Sequence, residues 1–272
     1  MLFRSQPREK QALDVTITQT AALFENLEAL TETKAFSIRP KTMEAYGQSY
    51  GLILYSTKLD GFAEQPVSIQ PYKYRDRASV YVDHSWFATF LRDRGVTKMA
   101  NEQLAPDGLP ALLPNGEERR IDVLVENIGR VNFGRDMMDE RKGLEECVLS
   151  SNAKLFGYET RTLPLKDLSG LQWSNNPHTE HLPCFFRGTF AAKRGVDSYV
   201  NFSDWGHGYI WVNGVNLGRY DSVGPHRTLY IPGAYLQEHN EIILLDLDPV
   251  GRRDRILLED HEMLEGDGAE LQ

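Results

Sequence analysis

The chain is poor in cysteine: Cys147 and Cys184 are the only two in 272 residues. Two thiols cannot build a disulfide framework or a four-thiolate zinc site, so both are expected to be reduced and mostly buried. No stretch approaches the roughly 18 consecutive apolar residues of a membrane span. The opening MLFRSQPREKQALDV has neither an apolar h-region nor a small-residue cleavage site. Secretion and membrane insertion are disfavoured, and a cytoplasmic location is the expectation. Positive charge is in deficit, with 30 Lys+Arg against 39 Asp+Glu and a net charge of −9. Such a balance repels phosphate backbones, so no nucleic-acid partner is expected. The common catalytic signatures are missing too: there is no GxSxG elbow, no P-loop, no HExxH and no GxGxxG opening a helix after a strand.

What is present is β texture. From Tyr50 onward, short runs rich in Val, Ile, Leu and aromatics are separated by Gly, Pro, Asn and Asp, and long amphipathic helices are scarce. The clearest runs are YGLILYSTKL (50–59), ASVYVD (78–83), IDVLVENIGRV (121–131), CFFRGTF (184–190), DSYVNF (197–202), YIWV (209–212), RTLYI (227–231) and NEIILLDLD (240–248). Strands at this spacing predict an all-β fold of two sandwich or jelly-roll domains in tandem.

Tandem organisation is read from an approximate internal repeat. Val80-Tyr81-Val82-Asp83-His84 and Ile210-Trp211-Val212-Asn213-Gly214 share a branched aliphatic, an aromatic, Val and a turn former, and a second strand follows each. Both predict hairpins, because a type I′ turn needs positive φ at both central positions and Asn-Gly tolerates that best. Each hairpin follows an aromatic strand and precedes a hydrophobic one. The segmentation expected from composition is a lead-in over 1–45, a first sandwich over 46–146, a second over 147–250 and an acidic, frayed tail over 251–272.

Candidate chemistry is sparse. His178 and His181 in HTEH, with His207 and His226, have the residue type of metal ligands, but scattered loop histidines are more often solvated, so no metal or other cofactor is expected. Carboxylates are plentiful, yet no pair is marked as held at the fixed separation a glycosidase needs; Asp246 and Asp248 alternate out of one strand, as on a solvated sheet face. Aromatic residues lead better towards binding. Trp205 in WGHG, with Tyr220 nearby, is either a rim ring for stacking on a sugar or a core ring, while Trp211 at mid-strand reads as core. Asn216 and Arg219 are expected to tie down the return strand beside that rim.

The stretch WGHGYIWVNGVNLGRYDSVGPHRTLYIPGAYL (205–236) resembles the C-terminal signature of glycoside hydrolase family 35, the β-galactosidases. LFENL (23–27), EAYGQSYGLILYSTKL (44–59), DVLVENIGRVNFG (122–134), KGL (142–144) and PCFFRGTF (183–190) agree in the order that family shows. The resemblance implies the galactose-binding-like β-sandwiches that follow a catalytic TIM barrel, with the barrel and both its catalytic glutamates outside these residues. No catalytic residue is carried over. In the family the loop VENIGRVNFG faces the barrel's sugar site, which makes Asn132 and Phe133 substrate-side candidates. Phe133 stands where the family usually has Tyr, Asp221 where an aromatic is common and His226 where Gln is usual. The implied partners are a galactoside or other glycan and a separately encoded barrel, with a homo-oligomer as a further expectation. Three roles stay open: half of a split enzyme, a free-standing carbohydrate-binding module, or a gene remnant that folds without a task.

Overall fold

The structure, a computed structural model of the chain, describes residues 9–60, 66–92, 95–99, 104, 108–112, 116–146, 148–150, 153–176, 183–248 and 254–264. Cys147, His178, His181 and the end of the expected tail lie outside the described residues. The chain divides into two compact units, Glu28–Lys166 and a second made of Met1–Leu27 with Asp167–Gln272. Both are built on antiparallel sheets, as the strand texture predicts.

In the Glu28–Lys166 unit the main sheet runs Thr33–Ser37, Tyr158–Leu163, Leu52–Leu59, Arg119–Glu126, Arg77–Val82, Ser85–Leu91 and Gly95–Met99. Ile53 and Tyr55, Ile121, Val123 and Val125, and Val80 and Val82 alternate along their strands onto one face and meet in one buried cluster. Ile69 and Val148, from the smaller sheet built around Val67–Pro71 and Val148–Ser150, pack into the same cluster and make the unit a two-sheet sandwich.

In the other unit the order is Val215–Asp221, His207–Val212, His239–Asp246, Cys184–Ala191, Leu13–Ala22, Arg255–Glu259, Ser198–Asn201 and Thr228–Ile231. Leu13–Ala22 belongs to both halves of this sandwich. Its first four residues pair with Arg255–Glu259, its later ones with Cys184–Ala191, and the register shifts between Ile17 and Gln19. A shift of that kind bends a strand and lets it pass from one sheet to the other. Val15 and Ile17 therefore sit in the same core as Phe186, Val200, Ile210, Leu244 and Ile256.

The internal repeat is legible in the pairing. Ser85–Leu91, Arg77–Val82, Arg119–Glu126 and Leu52–Leu59 are adjacent in one unit in the same order as Val215–Asp221, His207–Val212, His239–Asp246 and Cys184–Ala191 in the other. Asp83 and His84 have φ of 48° and 66°, Asn213 and Gly214 φ of 51° and 78°, as two-residue type I′ hairpins require. Both hairpins shift register at the same place, between Val80 and Tyr81 and between Ile210 and Trp211. The turn residue repeats its bond as well: Asp83 Oδ1 accepts from the Arg120 amide at 2.8 Å, and Asn213 Oδ1 from the Glu241 amide at 2.9 Å.

The expected segmentation needs correction at three points. The lead-in is not a separate segment, because Leu13–Ala22 is an inner strand of the second sandwich and Thr33–Ser37 an edge strand of the first. The boundary after the first sandwich falls at Lys166, since Tyr158–Leu163 pairs with Leu52–Leu59. The described start of the tail is ordered: Arg255–Glu259 completes the second sandwich. Composition misses these strands because ladder bonds and a neighbouring sheet, rather than local hydrophobicity, hold them in place.

Candidate functional site: a loop clamped by buried charge

The strand Arg119–Glu126 ends in a loop whose turn chemistry is local at first. Asn127 Oδ1 accepts the Gly129 amide at 3.0 Å, and its Nδ2 donates to Ser49 O at 2.9 Å. Gly129, at φ 137°, takes a conformation L side chains rarely adopt.

Distant charges then fix the loop. The Lys142 ammonium is fully buried and donates to Asp76 Oδ1 at 2.8 Å, Asp76 Oδ2 at 2.7 Å, Glu140 Oε1 at 3.0 Å and, in a very short contact, Gly129 O. Asp76 Oδ2 also accepts the Ile128 amide at 3.0 Å, and Glu140 Oε2 the Val131 amide at 2.8 Å. Arg92 pairs with Glu140 and lies 3.6 Å from Asp76. Arg130 donates to Glu44 Oε1 at 2.7 Å, and both Glu44 oxygens accept the Lys142 amide at 3.1 Å.

Burial raises the Glu140 carboxyl, but the Val131 amide, Lys142 and Arg92 outweigh it and hold the group below the usual carboxylate range. Glu44 is likewise held low, with burial opposed by Arg130 and backbone N–H groups. Asp76 and Glu140 thus pair with the desolvated Lys142 ammonium, while Asp76 Oδ2 and Glu140 Oε2 also take up the Ile128 and Val131 amides of the loop.

The clamp presents an apolar tip. Phe133 is 89% exposed, Met138 83% and Met137 53%, and Asn132 is exposed beside Phe133. An ordered loop holding large apolar side chains in water has the character of a contact surface. Asn132 and Phe133, the substrate-side candidates of the sequence, both lie on this exposed tip.

The second set of expected site residues, in the other unit, does not form a rim. Trp205 is 3% exposed and packs edge-on against Phe186 at 5.2 Å between centroids, inside the core. Tyr220 is also buried, and its hydroxyl donates to Leu245 O at 3.1 Å. Both were candidates for sugar stacking; the strands from Cys184 and His207 close over them instead. Trp211 is buried, as expected, but against Phe185 and Tyr209 on the sheet face opposite that core. Asn216 is exposed and accepts the Gly218 amide, and Arg219 pairs with Asp221, so both serve the return strand.

Asp246 and Asp248 also depart from expectation. They are 2% exposed rather than on a solvated face. Asp246 accepts the Gly206 and Asp248 amides, and His207 Nδ1 lies 3.2 Å from Asp248 Oδ1. Burial pushes the Asp246 carboxyl up to about 6. Two acids sealed in this way are out of reach of a substrate. His226 is exposed and faces Glu262. Among the described residues no group of three or more His, Cys, Asp or Glu could hold a metal ion.

Sequence reasoning missed the clamp. KGL marks Lys142 as part of a family motif, but nothing in spacing brings it to Asp76, which sits beside a strand start 66 positions away.

The fold and this loop define a class: tandem antiparallel β-sandwiches, one of which carries a loop with an exposed apolar tip. Comparison with known proteins agrees and narrows it. Residues 40–165 match the model of the β-galactosidase first all-beta domain, and residues 183–241 that of the β-galactosidase galactose-binding domain. A β-galactosidase of Xanthomonas manihotis is 34% identical over 216 residues, 79% of this chain and 33% of that protein. Human β-galactosidase-1-like protein 3 is 32% identical over 207 residues, 74% of this chain and 29% of that protein. Human β-galactosidase is 30% identical over 236 residues, 78% of this chain and 33% of that protein. The chain belongs to the β-galactosidase family through these all-β domains, the region to which its motifs pointed. It spans about a third of the length of the curated relatives it matches.

Proposed function

We propose that the chain is the non-catalytic β-sandwich part of a glycosidase of the family 35 type, which docks a catalytic barrel and presents Asn132 and Phe133 at the mouth of its sugar site. The observation that carries this reading is the loop 127–138: apolar and exposed at its tip, yet held at Ile128, Gly129 and Val131 by a buried cluster of charge. A loop under no external demand has no use for so rigid a support. The experiment is reconstitution. The purified chain is expected to give no turnover of a chromogenic β-galactoside alone, and to raise the activity of an added barrel from a relative. Phe133→Ala should reduce that gain at least several-fold without changing the chain's melting temperature. Robust turnover by the chain alone, or reconstitution indifferent to Phe133, would reject the proposal.

The alternative, a free-standing carbohydrate-binding module, draws support from the match to a galactose-binding domain. It loses its stacking ring with Trp205 in the core. Calorimetry with galactosides tests it directly, and Phe133 rather than Trp205 is the residue whose removal is informative.

A further inference from the structure

An open sheet edge in the Glu28–Lys166 unit carries a second surface. Thr33–Ser37 pairs with Tyr158–Leu163 on one side and, among the described residues, ends the sheet on the other. Phe36 is 76% exposed, Ile38 71% and, on the adjoining strand's approach, Phe156 52%. The Gly157 amide donates to Ile38 O, which puts the backbone groups of Ile38 and, by strand alternation, Phe36 and Lys34 towards Tyr158–Leu163. The N–H and C=O of Ala35 and Ser37 therefore point outward. An apolar edge with free backbone groups is a template for another strand.

We propose that this edge pairs with the same edge of a second copy of the chain, antiparallel about a two-fold axis through Ala35. The charge pattern selects this occupant. Phe36 lies across from Glu159 in the existing ladder, and Lys34 across from Arg161. With Ala35 opposite Ala35 of the copy, Lys34 stands opposite the copy's Phe36, in the closer, non-bonded type of pair. Each row across the seam then reads Arg161, Lys34, then Phe36 and Glu159 of the copy: basic residues face acid across an aromatic ring. Lys34 reaches that ring as a cation–π partner. Its present pair with Glu159, at 3.4 Å with the two side chains 50% and 36% exposed, is a surface contact easily exchanged for the copy's Glu159. Ala35, small and central, exchanges two backbone bonds with its counterpart, and the five-residue strand overlaps itself over its full length. The relation is isologous, so it closes at two copies.

The seam is short, so association is weak and shows at high concentration. Sedimentation of the full chain should move from monomer towards dimer between about 2 and about 200 μM, since the pairing falls below the area of a standard stable interface. Hydrogen exchange should slow at the Ala35 and Ser37 amides with rising concentration, and not at Lys34 or Phe36, which are already bonded within the sheet. Phe36→Lys, at an exposed position that leaves folding intact, should abolish both effects. A chain that stays monomeric at the upper concentration overturns the proposal. So does association that survives Phe36→Lys, or one that Phe133→Lys removes instead, which would assign it to the loop of the proposed docking site.

Discussion

Lys142 and Asp76 lie 66 positions apart, yet the fully buried ammonium of one grips both carboxylate oxygens of the other, at 2.8 and 2.7 Å. The contact joins the return limb of the loop to the approach of the strand Arg77–Val82, and everything exposed between Ile128 and Met138 hangs from it.

Lys142→Met keeps the apolar stem of the side chain without its ammonium and leaves Asp76 and Glu140 short of a counter-charge in a buried place. Breaking such a pair from one side costs roughly 3–5 kcal/mol. Urea unfolding should show a loss of that size. Where the variant remains folded, hydrogen exchange at the Ile128 and Val131 amides should quicken ahead of exchange in the strands.

Phe133→Ala and Trp205→Ala should separate surface from core. Phe133 touches water and its removal should change stability by less than about 0.5 kcal/mol. Trp205 fills the space beside Phe186, and its removal should cost about 3–5 kcal/mol. Equal effects in thermal unfolding would contradict the placement of one of them.

Gly208→Ala should fail to fold. A Cβ there would stand 1.8 Å from Leu245 O, a backbone atom of the adjoining strand, so the ladder between His207–Val212 and His239–Asp246 would have to part. Loss of the soluble folded chain, or destabilisation beyond about 4 kcal/mol, is expected by this mechanism.

Two carboxyls should give opposite pH dependences. Burial raises Asp246 to about 6 from an ordinary 3.8, so the folded chain holds its proton more tightly than the unfolded one. Its contribution is present at low pH and lost as pH rises from about 4 to about 6, worth up to about 3 kcal/mol. Asp246→Asn should flatten that fall. Glu140 is held below its ordinary value, so its contribution is present above the unfolded value of 4.5 and is lost as pH drops. Glu140→Gln should flatten the acid limb instead. Urea midpoints across pH 3 to 8, taken as about that range, check both signs.

The hairpins were legible because their chemistry is local. Val-Asp-His and Val-Asn-Gly carry the turn formers that positive φ demands, and the flanking alternation sets which side chains meet the core. Phe133 was legible as a candidate through its motif, and its exposure follows from a loop with no strand partner. Trp205 was not: a ring followed by two closely spaced glycines reads the same whether a neighbouring sheet covers it or water does. Asp246 and Asp248 misled for the same reason, since period-two spacing gives a common face but not what lies over it.

From sequence alone came the all-β class, the repeated hairpin and the family motifs, each carried by neighbours within a few positions and by the geometry of the peptide itself. Only the tertiary structure decided the membership of Leu13–Ala22 and Arg255–Glu259 in one sandwich, the closure over Trp205 and Tyr220, and the meeting of Lys142 with Asp76 and Glu140. Those relations depend on which distant strands lie side by side, and there burial sets the worth of a charge or a ring: a desolvated ammonium must find its carboxylates wherever the chain has brought them.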